Sequence, residues 1–253
     1  EKNNNEILIM SNDLDSLVAQ LEKMMREDYN KQLTIKEFEY KMLQMQISPH
    51  FLYNTLQSVS VMAKMGQSAR IPVMIKKLSN LLRAAIDTNT MFFTVDEEVC
   101  VLCDYVDIQT ERFGKRLQFH IENSIYDYSD VLIPKMTLQP LVENCIRHVL
   151  EKIPCECVIS LGARANGSAV ILSLNDNGVG VSPSRIASIL RGEVGQKKQN
   201  VGLYNIHKRL QNYFGDEYGL KIYNRPVGGT CVEVRIPISY RGEEAEREEG
   251  SDC

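Results

Sequence analysis

The pattern that most restricts the fold of this chain is a run of apolar residues that recur every seven positions between residues 14 and 52. One repeating position carries Leu14, Leu21, Asp28, Ile35, Met42 and Pro49, and the other carries Leu17, Met24, Lys31, Phe38, Met45 and Leu52. A sustained stripe this narrow indicates a coiled coil or a helical bundle shared by two chains. The alternative is one amphipathic helix that lies on its own domain.

A proline precedes a histidine at Pro49-His50, within the stretch LQMQISPHFLYNTL of residues 43–56. Proline inside a helix removes a backbone donor and crowds the carbonyl one turn earlier, so a bend is expected beside His50. Alternatively, Pro49 begins a new helix and His50 lies in its first turn.

A second helix is predicted over residues 74–87, after a connection that contains Gly66 and Pro72. Two such helices form an antiparallel hairpin, and pairing with a second copy predicts a dimeric four-helix bundle.

Charge and cysteine content exclude some classes of protein. With a net charge of −4 over 253 residues, the chain lacks the basic face that nucleic acid requires. Its seven cysteines show no disulfide or zinc pattern, and Cys100 and Cys103 are expected to be buried thiols in a reducing compartment. The sequence has no apolar run of about 20 residues and no signal peptide. It begins at Glu1 without methionine and is interpreted as a fragment of a longer protein.

The second half of the chain has a mixed pattern that predicts an α+β sandwich with helices on one face. After a break at residues 89–93, Thr94 or Asp96 is expected to cap a helix that runs to about Phe113. Asn166-Gly167 indicates a hairpin turn. The acidic residues 241–253 are predicted to be a disordered tail. Strands are predicted at residues 117–121, 155–163, 168–174, 220–223 and 230–236, and helices at residues 134–150, 184–190 and 202–214.

Three short blocks in this half carry polar groups suited to binding. In the first, LQPLVENCIRH, Asn144 and His148 are four residues apart and share a helix face, with Arg147 beside them. A carboxamide oxygen is a good ligand for Mg²⁺, and an arginine can hold a phosphate. The second block, DNGVG at residues 176–180, follows a strand, and its glycines let the backbone approach a ligand closely. The third, NVGL at residues 200–203, begins a helix whose N-terminal amides can hold phosphate oxygens.

Taken in this order, with a polar loop before the third block and Gly-Gly-Thr ahead of the last strand, the blocks resemble the GHKL ATPases. That superfamily binds Mg-ATP in a Bergerat-type α/β sandwich. Together with QISPHFLYNTL, EFEYKMLQMQ, YVDIQTERF, RLQF and IPKMTLQPLVEN, they make the chain similar to the LytS/YesM-type sensor histidine kinases. The opening residues look like the end of a HAMP linker, which in this family follows membrane spans.

The resemblance implies a role for individual residues. His50 would accept the phosphoryl group, and Asp176 would bind the adenine amine. Asn144 would ligate Mg²⁺, with Glu143 supporting it through water. The remaining roles fall on seven residues: Arg147 and His148 at the phosphates, Gly178 and Gly180 shaping the adenine pocket, Gly202 and Leu203 closing over the phosphates, and Thr230 lining the pocket.

The resemblance also implies domains and partners. The predicted domains are residues 1–30 as a HAMP-like linker, 31–92 as the dimerising phosphotransfer hairpin, 93–240 as the ATP-binding domain and 241–253 as the tail. A homodimer, a response regulator and an upstream membrane sensor are the expected partners, and the fragment is expected to be the cytoplasmic portion of a membrane protein.

Three functions remain in view from the sequence. The first is ATP-dependent autophosphorylation of His50 followed by transfer to a response-regulator aspartate. The second is an ATP-gated dimeric switch without phosphotransfer, and the third is a serine kinase of the anti-sigma type. Hydrolysing members of the superfamily carry a glutamate where this chain has Pro140, which favours transfer over hydrolysis. Asn54 lies one helical turn after His50 and is expected to orient its ring.

Overall fold

The computed structural model describes Met24 and residues 49–87, 90–150, 156–192 and 201–240, with only the backbone of Pro49, His50 and Val201. The chain divides into two compact units, Glu1–Ile47 and Ser48–Cys253. Apart from Met24, the first unit lies outside the described residues, as do most heptad positions and the predicted tail. The coiled coil, the HAMP-like linker and the four-helix bundle therefore stay predictions.

A helical hairpin begins the second unit, as the sequence predicts. Helix α1 spans Pro49–Lys64 and helix α2 spans Arg70–Ile86, and the connection between them contains Gly66 in a left-handed conformation. The sequence placed Pro72 in that connection, but it lies in the first turn of α2. Proline is tolerated there because amide groups of a helix's first turn lack intrahelical partners.

Helix α3, Val95–Phe113, packs against both helices of this hairpin. Of the two predicted caps, Thr94 is the one used. Its hydroxyl accepts from the Glu97 amide at 3.2 Å, while the Glu97 carboxylate accepts from the Thr94 amide at 2.9 Å. This reciprocal pairing satisfies two backbone donors that the helix itself cannot.

The contact between α3 and the hairpin has an apolar centre and a charged margin. The rings of Phe51 and Tyr105 stack with their centroids 5.2 Å apart, and Met74 and Leu81 of α2 are buried. Around them, Arg70 pairs with Glu111, Lys77 with Asp107, and Asn80 donates to Asp104 at 2.8 Å. Because exposed ion pairs contribute little, the buried side chains supply most of the stability of this contact.

A five-stranded sheet follows. Its strands are β2 Leu117–Ile121, β4 Cys157–Asn166, β5 Ala169–Asp176, β6 Gly219–Asn224 and β7 Thr230–Pro237. They lie in the order β2-β4-β5-β7-β6. Only β2 and β4 are parallel neighbours, and the other neighbours are antiparallel. The Asn166-Gly167 hairpin between β4 and β5 is confirmed, with Gly167 at a φ of 63°.

Three helices pack against this sheet and complete the mixed α/β architecture that the sequence predicts. They are α4 Leu138–Leu150, α5 Pro183–Arg191 and α6 Val201–Phe214. Helix α4 contacts β4 and β5, α5 contacts β6, and α6 contacts β6 and β7. Leu172, Leu174 and Val234 are buried and form part of the core.

Two predictions for this region are wrong in detail. The helix predicted over residues 134–150 begins only at Leu138. Residues Leu132–Pro134 form strand β3 instead, and this strand pairs with β1, Phe92–Thr94, in a two-stranded sheet. Residues 89–93 were expected to be a break only. The two segments are too short to show a two-residue alternation, so the pairing was not visible in the sequence.

The expectation for two cysteines is also corrected. Cys100 is exposed and Cys103 is half-buried, because the buried stripe of α3 is formed by other residues, among them Val99, Leu102 and Val106.

Within the part of the chain that the structure describes, no helix is both long and apolar enough to cross a bilayer.

A histidine of α6 that contacts β6 leads to a prediction of how stability depends on pH. Nδ1 of His207 accepts a hydrogen bond from the Leu220 amide at 3.0 Å, and burial, with the charge of Lys208, lowers the pKa of His207 below 6.5. A histidine with a lowered native pKa binds its proton more readily in the unfolded chain, so it destabilises the fold as the pH falls through about 6.5.

We expect the free energy of unfolding to decrease between pH 7.5 and pH 5.5, and this decrease to be smaller in His207→Asn. Asparagine places an acceptor near the position of Nδ1 but does not titrate. Urea unfolding of both proteins at the two pH values measures the difference, and equal decreases would show that His207 makes no contribution.

Candidate active site

A cavity of about 240 Å³ lies between α4, α5, the start of α6 and strands β5, β6 and β7. Apolar side chains, including Leu141, Ile189, Ile222 and Val232, form much of its wall. Seven of the predicted site residues line it: Asn144, His148, Asp176, Gly178, Gly180, Leu203 and Thr230. The sequence blocks that are far apart along the chain therefore meet at one site.

Asp176 is the most buried acidic group of this cavity, with 7% of its surface exposed. It is the last residue of β5, and the alternation of a strand places it on the same face as Leu172 and Leu174. Its Oδ1 accepts from the amides of Gly178 at 2.7 Å and Thr230 at 3.2 Å. These bonds fix the carboxylate and leave Oδ2 to accept from other donors.

A cysteine is the protein donor to that second oxygen. The Cys145 thiol lies 3.7 Å from Asp176 Oδ2 and donates to it. Burial, together with the negative charge of Asp176, raises the pKa of Cys145 well above its usual value. The thiol is therefore a protonated donor, and it can help to orient the carboxylate. No role was predicted for Cys145.

The DNGVG loop after β5 is held at two further points. Asn177 accepts from the Val158 amide at 2.9 Å and donates to the Glu156 carbonyl at 2.8 Å. Asn224 at the end of β6 makes the same pair of bonds to Val181, at 2.8 and 2.9 Å. Both asparagines fix the loop against strands, and neither function was predicted, because an isolated asparagine carries no sequence signal for its distant partner.

Helix α4 presents Asn144 and His148 to the cavity from successive turns, as their spacing predicts. Arg147 and Glu143 lie on the same helix but do not line the cavity as described. Arg147 donates from its Nη2 to the carboxamide oxygen of Asn144, and its buried Nε has no partner among the described residues. The Asn144 oxygen is thus at the cavity wall and already interacts with a cation.

The residues present fit the expected cofactors in their chemistry. Apolar walls and a fixed carboxylate suit a nucleotide base, and the Asn144 oxygen suits Mg²⁺. Among the described residues, no cluster of three or more His, Cys, Asp or Glu forms a metal site. Mg²⁺ commonly takes one or two protein oxygens and completes its shell with phosphates and water, so a single asparagine is compatible with its binding.

The remaining predicted site residues are not among those that the structure describes as lining the cavity. His50 occupies the first turn of α1, where only its backbone is described. Asn54 lies one turn further along α1 and lines a separate groove with Gln57 and Arg70. Gly202 lies in the first turn of α6 beside Leu203. Helix α1, which carries the predicted phosphoryl acceptor, packs against α2 and α3.

Comparisons with known proteins agree with this arrangement. Residues 38–117 match the family model described as histidine kinase, and residues 129–240 match that of the histidine kinase-, DNA gyrase B- and HSP90-like ATPases. The second match contains every residue that lines the cavity. The fold and cavity thus define a nucleotide-binding domain of the GHKL class.

Individual relatives place the chain more narrowly. It is 38% identical to the sensor histidine kinase YesM of Bacillus subtilis (strain 168) over 221 residues, which are 87% of this chain and 37% of that protein. It is 29% identical to the sensor protein kinase HptS of Staphylococcus aureus (strain USA300) over 241 residues, 94% of this chain and 46% of that protein. The chain belongs to the sensor histidine kinases, as its sequence predicts, and it spans less than half the length of these two relatives.

The catalytic domain of the histidine kinase ThkA is 16% identical, with a TM-score of 0.46, and the match covers 59% of this chain and 97% of that one.

A pair of adjacent glycines generates a prediction about the pocket. Gly228 and Gly229 both have positive φ, 95° and 84°. A Cβ on Gly228 would meet nothing within 4 Å, whereas one on Gly229 would overlap the backbone carbonyl of Asp176. The two positions therefore share backbone strain and differ only in the contact with the site.

We expect Gly228→Ala to cost about 1–2 kcal/mol of stability from the left-handed conformation alone. Gly229→Ala should cost roughly 3 kcal/mol or more and weaken nucleotide binding, because Asp176 must move. Urea unfolding and calorimetric titration with ADP measure the two effects. If both variants bind ADP equally, the contact of Gly229 with Asp176 is unimportant to the pocket.

Proposed function

We propose that this chain is the kinase portion of a two-component sensor, which phosphorylates His50 with ATP and then passes the phosphoryl group to an aspartate of a response regulator. The observation that carries the proposal is the meeting of Asp176 and Asn144 in one apolar cavity, in a chain that also presents Pro-His at the start of a helical hairpin. The cavity supplies a nucleotide site, and the hairpin supplies a nucleophile.

The adenine base would occupy the apolar part of the cavity. Its exocyclic amine would donate to Asp176 Oδ2, because Oδ1 already accepts from the amides of Gly178 and Thr230, whereas Oδ2 accepts the weaker bond from the Cys145 thiol. Gly178 and Gly180 keep the loop close to the base: a Cβ at Gly178 would come within 2.9 Å of Asp176 Oδ1, and one at Gly180 within 2.8 Å of Asn224. The Thr230 amide fixes the carboxylate from the β7 side.

The phosphates would extend toward α4 and the start of α6. Asn144 would ligate Mg²⁺, and Glu143 would support the metal shell through water. His148 lines the cavity and would contact a phosphate directly. Arg147 would turn from Asn144 to the phosphates when the metal takes the carboxamide oxygen. Gly202 and Leu203, in the first turn of α6, would approach the phosphates with free helix amides.

In the transfer step, a ring nitrogen of His50 forms a bond to the γ-phosphorus while the bond from that phosphorus to the bridging oxygen of ADP breaks. The imidazole would lose a proton to solvent, and ADP would leave with the bonding electrons. Mg²⁺, held by Asn144, would supply positive charge that neutralises the phosphates. The bond to phosphorus requires the neutral imidazole, because only that form has a lone pair on a ring nitrogen. Acceleration then comes chiefly from positioning and charge neutralisation. In the second step, an aspartate oxygen of the regulator takes the phosphorus as its bond to nitrogen breaks.

The same proposal includes the protein's context. Two copies would pair through residues 14–87, and the kinase would be the cytoplasmic portion of a membrane-anchored sensor, joined to it by the HAMP-like residues 1–30. Exposed apolar side chains on the hairpin, including Tyr53, Leu56 and Val73, give a pairing surface. The domain divisions at residues 30, 92 and 240 belong to this proposal.

The alternative is an ATP-gated dimeric switch that binds nucleotide and transfers nothing. Pro140 does not distinguish this alternative from the kinase, because neither function needs a residue that activates water. The Pro-His sequence favours the kinase, because a switch needs no nucleophile. A switch would bind Mg-ATP with normal affinity and acquire no label.

The direct test is incubation with γ-labelled ATP and Mg²⁺. We expect an acid-labile, base-stable label, as phosphohistidine requires, which is lost in His50→Gln. Asn144→Ala and Asp176→Ala should abolish labelling, since one removes the metal ligand and the other the adenine contact. Asn212→Ala and Asp216→Ala make the same chemical changes at exposed positions near the end of α6 and should label normally.

Calorimetry separates the two functions and tests the pocket. If the wild-type protein binds Mg-ATP but acquires no label from γ-labelled ATP, the result would support the switch and contradict the kinase. Wild-type Mg-ATP affinity in both Asn144→Ala and Asp176→Ala would refute the assignment of the pocket.

A further prediction concerns Asn54, which we expect to orient the His50 ring from one helical turn away. Asn54→Ala should slow labelling by up to about 10²–10⁴-fold without changing ATP affinity, whereas Asn54→Asp should retain the rate because it keeps an acceptor oxygen. Single-turnover labelling at saturating ATP measures the rate. A wild-type rate in Asn54→Ala would place the orienting group elsewhere.

A further inference from the structure

A buried carboxylate from another helix lies at the N-terminus of α4, outside the cavity. Glu98, in the first turn of α3, has only 1% of its surface exposed. Its Oε2 accepts from the Met136 amide at 2.9 Å, and its Oε1 accepts from the amides of Thr137 at 2.7 Å and Leu138 at 2.8 Å. One side chain of α3 therefore satisfies the three backbone donors that lead into α4.

The same turn, residues 135–137, is bound from two other directions. Arg209 of α6 donates to the Met136 carbonyl at 3.1 Å and to the Thr137 hydroxyl at 2.9 Å. Lys135 donates to the carbonyl of Asp87, the residue that caps the C-terminus of α2. The turn thus joins the end of the hairpin, the start of α3, the start of α4 and the middle of α6.

The backbone of this turn is not in a relaxed conformation. Met136 has a φ of 58°, and it is the only non-glycine residue with positive φ in the described part of the chain. A side chain such as methionine adopts this region only when its surroundings enforce it. The three bonds to Glu98 and the bond from Arg209 are the interactions that hold it there.

The position of this turn determines the position of the metal ligand. Asn144 lies six residues after Leu138, and a helix is stiff over that length, about 9 Å at 1.5 Å per residue. A shift of the α4 N-terminus therefore moves Asn144 and His148 together. A displacement of about 1 Å at a reacting centre is sufficient to lower a rate by roughly 10²-fold.

We propose that Glu98 is a positioning residue for phosphoryl transfer: by capping α4 from α3, it sets Asn144 and His148 for Mg-ATP and links their placement to the end of the hairpin. This inference rests on the proposed kinase function. Glu98 does not line the cavity, so it acts through the geometry of α4. Its main effect is at the metal and the γ-phosphate, because the two amide bonds to Asp176 Oδ1 come from Gly178 and Thr230 rather than from α4.

The neighbouring Glu97 provides a matched control. Both glutamates cap a helix through backbone amides, but Glu97 caps α3 at Thr94, whereas Glu98 caps α4. Glu97→Gln and Glu98→Gln make the same chemical change one residue apart. Each removes a negative charge and replaces one acceptor oxygen by an amide group that cannot accept.

Three measurements on the whole chain separate positioning from stability. Urea unfolding gives stability, calorimetry gives the affinity for ADP without metal and for ADP over a series of Mg²⁺ concentrations, and single-turnover labelling gives the rate at saturating Mg-ATP. We expect Glu98→Gln to lose little affinity for metal-free ADP, to require about tenfold more Mg²⁺, and to label at least about tenfold more slowly. Glu97→Gln should lose stability but keep the wild-type Mg²⁺ requirement and rate.

Each result decides the question. If Glu98→Gln loses stability only, with unchanged Mg²⁺ requirement and rate, Glu98 is a structural cap and the proposal is wrong. If Glu98→Gln does not fold, Arg209→Gln tests the same turn, because Arg209 is a half-buried residue of α6 that donates to Met136 and Thr137. A wild-type Mg²⁺ requirement in Arg209→Gln would also overturn the proposal. Failure of the proposed kinase function looks different, since the wild type itself would then acquire no label.

Discussion

The site depends on the register in which β5 pairs with its two neighbours. Asp176 pairs with Ile159 of β4 at the point where β5 ends, and Asn175 pairs with Cys231, the second residue of β7. This register puts the Thr230 amide beside the Asp176 carboxylate and Gly229 against its carbonyl. A slip of one residue would reverse the face of every side chain on β5, sending Asp176 away from the cavity. The tight turn at Asn166-Gly167 sets the pairing of β4 with β5 and opposes that slip.

Much of this arrangement can be predicted from the sequence because its signals are local. Thr94 and Glu97 form a capping box that can be read from their spacing, and Asn166-Gly167 specifies a tight hairpin. Asn144 and His148 share a face because four residues make about one helical turn. Asp176 follows an apolar strand and precedes two glycines, which is a pattern that a ligand-binding turn requires.

The features that could not be predicted all join distant segments. Glu98 and Asn224 are ordinary polar residues in sequence, and their functions arise from partners 40 and 43 residues away. The β1–β3 pair consists of three-residue strands, which are too short for any periodicity. Such contacts depend on the packing of the whole domain, so a local pattern carries no information about them.

The contacts around the site differ in strength, and the difference shows which parts are fixed. The turn before α4 is held by a buried carboxylate with three amide bonds, and the loss of a partner from such a buried group is costly. The margin between the hairpin and α3 is instead made of ion pairs that are largely exposed, Arg70 with Glu111 and Lys77 with Asp107. Pairs of this kind are screened by salt and contribute little.

A kinase that works as proposed must bring His50 to the γ-phosphate. Within one chain, that movement would separate the hairpin from α3 and expose the stacked rings of Phe51 and Tyr105 together with the buried Met74 and Leu81. Because the burial of these apolar side chains supplies most of the stability of this contact, the movement costs more than the loss of the charged margin alone. The bonds that hold the Asp176 carboxylate come from Gly178, Thr230 and Cys145, and they need not change. The adenine contact can therefore stay in place while the hairpin moves, whereas the Lys135 bond to the Asp87 carbonyl transmits that movement to the turn before α4.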